Sequence, residues 1–170
     1  GKIEKFCESN KIDYRKIKQF ISPRASTVSF VYSMLKILKN VIPINKENII
    51  ESIESLEKLN IQISSNNMTD SNQALKLAKE ITEIPLIYYP WGLQAAAIRF
   101  KNSLQENAKT HAMVEDVVEA SHNGIVAWEK KSKISPILLQ GHDDNAKTEE
   151  RWGIFKTFFD NNKINYKEIV

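Results

Sequence analysis

The feature that most constrains the fold is the alternation of short apolar runs with longer helical patterns in the second half of the chain. Ile84–Tyr89 is a continuous apolar run that contains Pro85 and precedes Pro90, and Pro136–Leu139 is a second such run. Short runs without polar alternation are typical of strands that are buried on both faces of a parallel sheet. The alternation therefore predicts an α/β fold, a three-layer αβα sandwich with a mainly parallel sheet.

The sequence predicts four strands in one sheet and seven helices around or before it. The strands are Ile84–Tyr89, Thr110–Val118, Pro136–Leu139 and Ile164–Val170. The helices are Lys2–Asn10, Val28–Leu38, Asn45–Leu59, one that opens at Asp70 or Ser71, Leu93–Lys109, Ser121–Trp128 and Thr148–Asn161. Residues 13–21 are predicted to form a short helical or irregular connector. Because Val28–Leu38 is apolar over most of its circumference, we expect it to be buried on several sides.

Composition excludes several classes of protein. Hydrophobic residues make up 42% and charged residues 26% of the 170 residues, which is typical of a soluble globular protein. No apolar run is long enough to span a bilayer, so no membrane partner is expected. The 24 basic and 21 acidic side chains are interspersed, without the dense basic face that nucleic-acid binding needs. The single cysteine, Cys7, excludes an internal disulfide and favours a cytoplasmic location.

One carboxylate stands out on the Leu93–Lys109 helix. Arg99 and Glu106 are seven residues apart, so a regular helix projects them from the same face. Glu106 falls in the last turn, where the helix dipole disfavours a carboxylate, and a poised carboxylate is what a proton-shuttling base requires. On this pattern alone, a solvated surface glutamate is the alternative.

The three histidines differ in their sequence context. His142 lies in a polar turn, and His111 begins a predicted strand. His122 lies where a predicted strand passes into a helix, near the carboxyl end of the strand, where open α/β sheets bind their ligands. No pair has metal-ligand spacing, and neither a phosphate-binding glycine motif nor a nucleophile elbow is present. The sequence therefore predicts no metal or nucleotide cofactor.

Two segments resemble motifs of one enzyme family. Gln105–Lys109 (Gln-Glu-Asn-Ala-Lys) resembles the Asn-Glu-Asn-Ala-Lys signature of the bifunctional phosphoglucose/phosphomannose isomerases, and Val118–Asn123 resembles their Pro-Glu-x-x-His-Asn segment. Ser22–Ala25 is similar to the Pro-Arg-Ala segment that opens the first long helix of their C-terminal sugar-isomerase (SIS) domain. Val118 replaces the usual proline and Gln105 the first asparagine.

The resemblance implies a set of site residues. Glu106 corresponds to the base that moves a proton between C1 and C2 of the sugar phosphate. Arg24 corresponds to the arginine that stabilises the cis-enediolate. His122 corresponds to the residue that assists ring opening, and in the family it completes the site of the neighbouring subunit. The matching positions Asn107, Lys109 and Asn123 are assigned to substrate binding without individual roles.

The resemblance also implies a domain organisation and partners. Residues 1–21 would be a linker or connecting helices from a preceding SIS domain with the phosphate-binding loop, and residues 22–170 a C-terminal SIS domain that ends before its last helix. The implied function is interconversion of glucose 6-phosphate, and of mannose 6-phosphate, with fructose 6-phosphate by a homodimer. The isolated chain would then be inactive. A non-catalytic SIS module that binds a sugar phosphate is the alternative.

Overall fold

In a computed structural model, the chain forms two compact units, Gly1–Asn67 and Met68–Val170. The structure describes all residues except Gln19 and Ile21, and the side chains of Pro23 and Arg24 also lie outside the description. The domain boundary predicted between residues 21 and 22 stays a prediction. The division between the two units falls 46 residues later along the chain (67 − 21).

The first unit is built from helices. Its elements are α1 (Lys2–Ser9), a 3₁₀ turn (Pro23–Ser26), α2 (Thr27–Leu38) and α3 (Lys46–Ile63). Asn45 caps α3, because its side-chain oxygen accepts a 2.8 Å hydrogen bond from the Glu47 amide. In the predicted connector, residues 13–18 and 20 are irregular, and the other two positions lie outside the described residues.

The expectation that the first long helix is buried on several sides is wrong for the chain by itself. No residue of α2 or α3 is buried, and Val28 and Met34 on α2 are 54% and 52% exposed. The Tyr32 and Ser52 hydroxyls join α2 to α3 at 2.8 Å. The apolar side chains of α2 therefore stay partly or largely exposed within the described part of the chain.

The second unit alternates strands and helices. Its elements are α4 (Gln73–Glu80), β1 (Ile84–Tyr89), α5 (Gln94–Ser103), a π turn (Leu104–Ala108), β2 (Met113–Asp116), α6 (Val117–Ala120), a 3₁₀ segment (Gly124–Glu129), β3 (Ile134–Leu139), α7 (Ala146–Asn161) and β4 (Lys167–Ile169). The four strands form one parallel sheet in the order β2-β1-β3-β4, so the predicted α/β class with a parallel sheet is confirmed. Among the described residues, no helix combines the length and the hydropathy that crossing a membrane requires.

Both faces of the sheet are covered, which gives three layers. Successive residues of β1 point to opposite faces. Leu86 and Tyr88 pack with α6 and α7 on one face, whereas Ile87 and Tyr89 pack with Ala97 of α5 on the other. The first cluster is rich in aromatic rings, and Tyr88 meets Phe155 edge-on with 5.1 Å between ring centroids. We call the α6/α7 side the aromatic face and the other side the α5 face.

Several boundaries differ from the predicted ones, including those of two strands and the long helix after β1. The strand predicted at residues 110–118 is confined to β2, because Asp116 caps a helical turn that begins at Val117. The helix predicted to reach Lys109 leaves α geometry after Ser103. The last strand is the three-residue β4, paired with the carboxyl half of β3.

Candidate functional site

Glu106 lies in the middle of the π turn, which follows α5 directly. A π turn has wider i→i+5 bonding than an α-helix and is frequent at functional sites. Lys109 closes it in the left-handed conformation (φ 55°) and donates its backbone N–H to the Leu104 carbonyl. The Lys109 ammonium also donates to the Glu106 carbonyl at 2.8 Å. The structure thus brings two predicted site residues, Glu106 and Lys109, together. The predicted common face of Arg99 and Glu106 requires a regular helix, and the π turn interrupts that helix before Glu106.

The π turn has an inner and an outer side. Leu104 and Ala108 line an apolar cavity of about 480 Å³ together with Ile84 and Pro85, the first residues of β1. Residues 105–107, among them Glu106 and Asn107, are exposed and belong to the outer side. Glu106 therefore lies at the amino-terminal edge of the sheet, on the α5 face, in reach of a ligand from outside.

His122 lies in a second turn, residues 121–123, between α6 and the 3₁₀ segment. The amides of His122 and Asn123 both donate to the Glu119 carbonyl, at 3.0 and 2.9 Å, and both side chains are exposed. The α-helix predicted from Ser121 to Trp128 is wrong, because Ser121 ends α6 and a 3₁₀ segment follows the turn. The Ser121 hydroxyl donates back to the Val117 carbonyl at 2.6 Å and so belongs to the end of α6.

The Glu106 turn and the His122 turn lie on opposite sides of the sheet and at opposite ends of β2. Since β1 and β2 are parallel neighbours, α5 must run back from the carboxyl end of β1 to the amino end of β2. Glu106 precedes that amino end on the α5 face, and His122 follows the carboxyl end on the aromatic face. The four residues of β2 alone span about 10 Å. One copy of the chain therefore does not bring these two side chains into one site.

Arg24 belongs to the first unit, in the 3₁₀ turn that precedes α2. Its backbone follows Ser22 and Pro23 in the predicted helix-start pattern, with proline at the first position. Its side chain lies outside the described part of the chain, so its predicted role stays a prediction.

A carboxylate that the sequence analysis did not select lies below the His122 turn. Glu115 of β2 is half-buried, and burial together with the nearby Glu119 carboxylate raises its pKa. It is the register neighbour of Tyr88, whose own pKa burial raises. The Tyr88 hydroxyl accepts a 2.9 Å hydrogen bond from the Trp128 indole. An acidic residue inside a predicted strand of the sheet was the signal that could have identified Glu115.

The carboxyl ends of β1 and β3 form a further edge with exposed groups. Trp91 is 91% exposed and precedes Gly92, whose φ of +95° turns the chain into α5. In the loop after β3, Asp144 accepts hydrogen bonds from the Gly141 amide (3.1 Å) and the Trp152 indole (2.9 Å). His142 in this loop and His111 are exposed. Within the described part of the chain, no three His, Cys, Asp or Glu side chains converge as a metal site would need.

Comparison with known proteins identifies the class of this fold. The family described as "Bacterial phospho-glucose isomerase C-terminal SIS domain" matches residues 70–170, which is most of the second unit, and the chain belongs to this family. Over 164 residues the chain is 26% identical to the bifunctional phosphoglucose/phosphomannose isomerase of Caldicellulosiruptor bescii, covering 92% of this chain. It spans about half (48%) of that relative's length.

A solved structure also resembles the chain. It is the C-terminal domain of glucosamine-fructose-6-phosphate aminotransferase from Francisella tularensis, with a TM-score of 0.46 and 14% identity. The match covers 82% of this chain and 37% of that chain.

Proposed function

We propose that this chain supplies the base and the ring-opening histidine of a homodimeric aldose–ketose isomerase. The substrates are glucose 6-phosphate and mannose 6-phosphate, which exchange with fructose 6-phosphate through a cis-enediol. The observation that carries the proposal is the π turn, which presents Glu106 on an exposed, locally widened helix end.

Glu106 acts as the general base and then as the general acid. Its carboxylate removes the proton from C2 of the open-chain aldose, and the electron pair forms the C1–C2 double bond while negative charge moves to O1. The same carboxyl group returns the proton to C1, and proton transfer from O2 to O1 leaves the ketose. Arg24 stabilises the enediolate oxygen with its planar fork of donors.

His122 acts in the site of the neighbouring subunit. Within one chain it lies on the opposite sheet face and at the opposite end of β2 from Glu106. A two-fold dimer relates these two surfaces reciprocally, so each of two sites receives Glu106 from one copy and His122 from the other. His122 then transfers the proton that opens the pyranose ring, while Asn107, Lys109 and Asn123 bind the substrate around these two groups.

The test is Glu106→Gln in the full-length protein. Glutamine keeps the size of the side chain but accepts no proton, so isomerisation and exchange of the C2 proton with solvent should fall at least a thousandfold. Sugar-phosphate binding, measured by calorimetry, should stay within a few-fold of wild type. Glu57→Gln, on the exposed surface of α3, is the matched control. C2 exchange at near wild-type rate in Glu106→Gln would exclude Glu106 as the base.

The second candidate is a non-catalytic module that binds a sugar phosphate. The separation of Glu106 from His122 in one chain favours it if the protein forms no dimer. In that case wild type would bind the sugar phosphate without exchanging its C2 proton.

A further inference from the structure

The backbone of Gly124 lies directly on the carboxyl group of Glu115. A Cβ atom added to Gly124 would lie 2.6 Å from Oε1 and 2.8 Å from Oε2 of Glu115. Contacts this close do not persist. Because the contacted atoms are the end of a flexible side chain, a larger residue would first displace the carboxyl group of Glu115. The backbone of the His122 turn therefore lies against the carboxyl group of Glu115.

The turn is fixed on both sides of this contact. Before it, the Glu119 carbonyl accepts the amides of His122 and Asn123. After it, the Trp128 indole donates to the Tyr88 hydroxyl, which ties the 3₁₀ segment to β1. Since Tyr88 and Glu115 are register neighbours in adjacent strands, their side chains project from the same face. They form a polar floor under the turn.

The charge of Glu115 is sensitive to this environment. Among the described residues, the titratable groups that face it are Tyr88 on β1 and Glu119 on α6, while the 3₁₀ segment presents Gly124, which does not ionise. Burial keeps Tyr88 protonated, so no cation among these groups offsets a charge on Glu115. Loss of its proton places a charge in a half-buried position beside Glu119, which favours movement of the carboxylate towards solvent.

We infer that Glu115 is a positioning residue for His122: its carboxyl group supports Gly124 and so sets where the His122 imidazole projects. The inference rests on the proposed function for its effect on the reaction, but the effect on the turn is independent of catalysis. When Glu115 ionises, the support under Gly124 changes and the turn shifts with it.

The effect on the turn is testable by NMR on the 170-residue chain. The amide resonances of His122, Asn123 and Gly124 should titrate together with pH, with a midpoint above that of exposed glutamates. Glu115→Gln should abolish this common transition, whereas Glu129→Gln, at the end of the same 3₁₀ segment, should leave it unchanged. A transition that persists in Glu115→Gln but disappears in Glu119→Gln would assign it to Glu119 and overturn the inference, as would the absence of any transition in wild type.

The effect on the reaction is tested in the full-length protein. Gly124→Ala should lower kcat about 10- to 100-fold with little change in KM, because it displaces the Glu115 carboxyl group from beneath the His122 turn without touching the phosphate anchor. Glu115→Gln should keep kcat near that of wild type at acidic pH and remove the pH dependence contributed by the turn. Unchanged kcat in a folded Gly124→Ala variant would overturn the inference. If that variant does not fold, the pH dependence of kcat in Glu115→Gln decides, and a dependence identical to that of wild type would overturn the inference. Absence of isomerisation in wild type would reject the proposed function alone, since the NMR result stands separately.

Discussion

The Glu106 turn and the His122 turn are built in different ways, although each follows a helix and flanks the same short strand. The Glu106 turn is held by hydrogen bonds within the turn itself. The amide of the left-handed Lys109 donates to the Leu104 carbonyl, and its ammonium group donates to the Glu106 carbonyl. The His122 turn is held by the core, through Glu115 below it and the Trp128–Tyr88 hydrogen bond after it. A locally closed turn can be altered without disturbing the sheet, whereas a core-supported turn shares the stability of the sheet.

The largest effect is expected from mixing two inactive variants. The proposed site takes the Glu106 turn from one chain and the His122 turn from the other, because the two turns lie far apart within one chain. Glu106→Gln and His122→Ala homodimers, dissociated and reassociated at equal amounts, form mixed dimers as half of the population. In each mixed dimer one site is intact and the other carries both changes. Isomerase activity should therefore return to about a quarter of wild type.

The control for this experiment is a mixture of Glu106→Gln with itself after the same treatment, which should stay inactive. A mixture of the two variants that stays inactive, although mass spectrometry detects mixed dimers, would mean that each site is formed by one chain.

The core beneath the His122 turn should give the next largest effect. Phe159 is fully buried and contacts Tyr88, Trp128 and Phe155, so Phe159→Ala should lower the free energy of unfolding by about 3–5 kcal/mol. Denaturant unfolding measures the loss. Amide exchange at residues 121–123 should accelerate more than at residues 105–109. Equal acceleration in both turns would remove the distinction between them.

A smaller effect is expected at Lys109. Its φ of 55° is costly for a residue with a Cβ atom, by about 1–2 kcal/mol. Lys109→Ala keeps this cost and loses the ammonium bond to Glu106, whereas Lys109→Gly loses the same bond but relieves the backbone. Glycine should therefore be the more stable of the two variants by about 1 kcal/mol in thermal unfolding. Equal stabilities would contradict a locally strained turn.

The smallest expected effect is the pH dependence that Glu115 contributes to stability. Its pKa is raised in the folded state, so between the unfolded and folded pKa values the folded chain binds more protons than the unfolded chain. The stabilisation that Glu115 contributes is complete at pH values below its unfolded pKa near 4.5, and it is lost as the pH rises through its folded pKa. Urea midpoints of wild type and Glu115→Gln should therefore diverge with rising pH. A urea midpoint of wild type that rises with pH relative to that of Glu115→Gln would contradict a raised pKa for Glu115 in the folded state.

Much of the sheet was predictable, because buried strands carry their signal locally. Ile84–Tyr89 is continuously apolar, and its side chains fill both faces. The aromatic spacing of the helix predicted at residues 148–161 likewise places Trp152, Phe155, Phe158 and Phe159 on one apolar side. Three of them are buried, and Phe158 is half-buried. Such patterns depend on neighbours along the chain, so one sequence is enough to predict them.

The features that the sequence did not predict depend on contacts between distant residues or on details of backbone geometry. The π turn differs from an α turn by one residue of hydrogen-bond spacing, which has no distinct hydrophobic period. Glu115 is placed by the register of β2 against β1 and by the return of the chain at Gly124. The apolar pattern of α2 predicted burial, but a pattern does not specify whether a covering surface exists within the same chain. Glu106 and His122 were selected from their positions in the sequence, whereas the other site residues and all of the roles came from motif resemblance, and these roles stay predictions.

The exposed Trp91 at the carboxyl edge of β1 has a spectroscopic consequence. The three tryptophans have distinct surroundings: Trp152 is buried, Trp128 is half-buried, and Trp91 is almost fully in water. Emission from Trp91 should lie at longer wavelength and be quenched readily by acrylamide, whereas emission from the other two reports on the aromatic face. The intrinsic fluorescence of the chain can therefore be separated into a surface component and a core component without an added label.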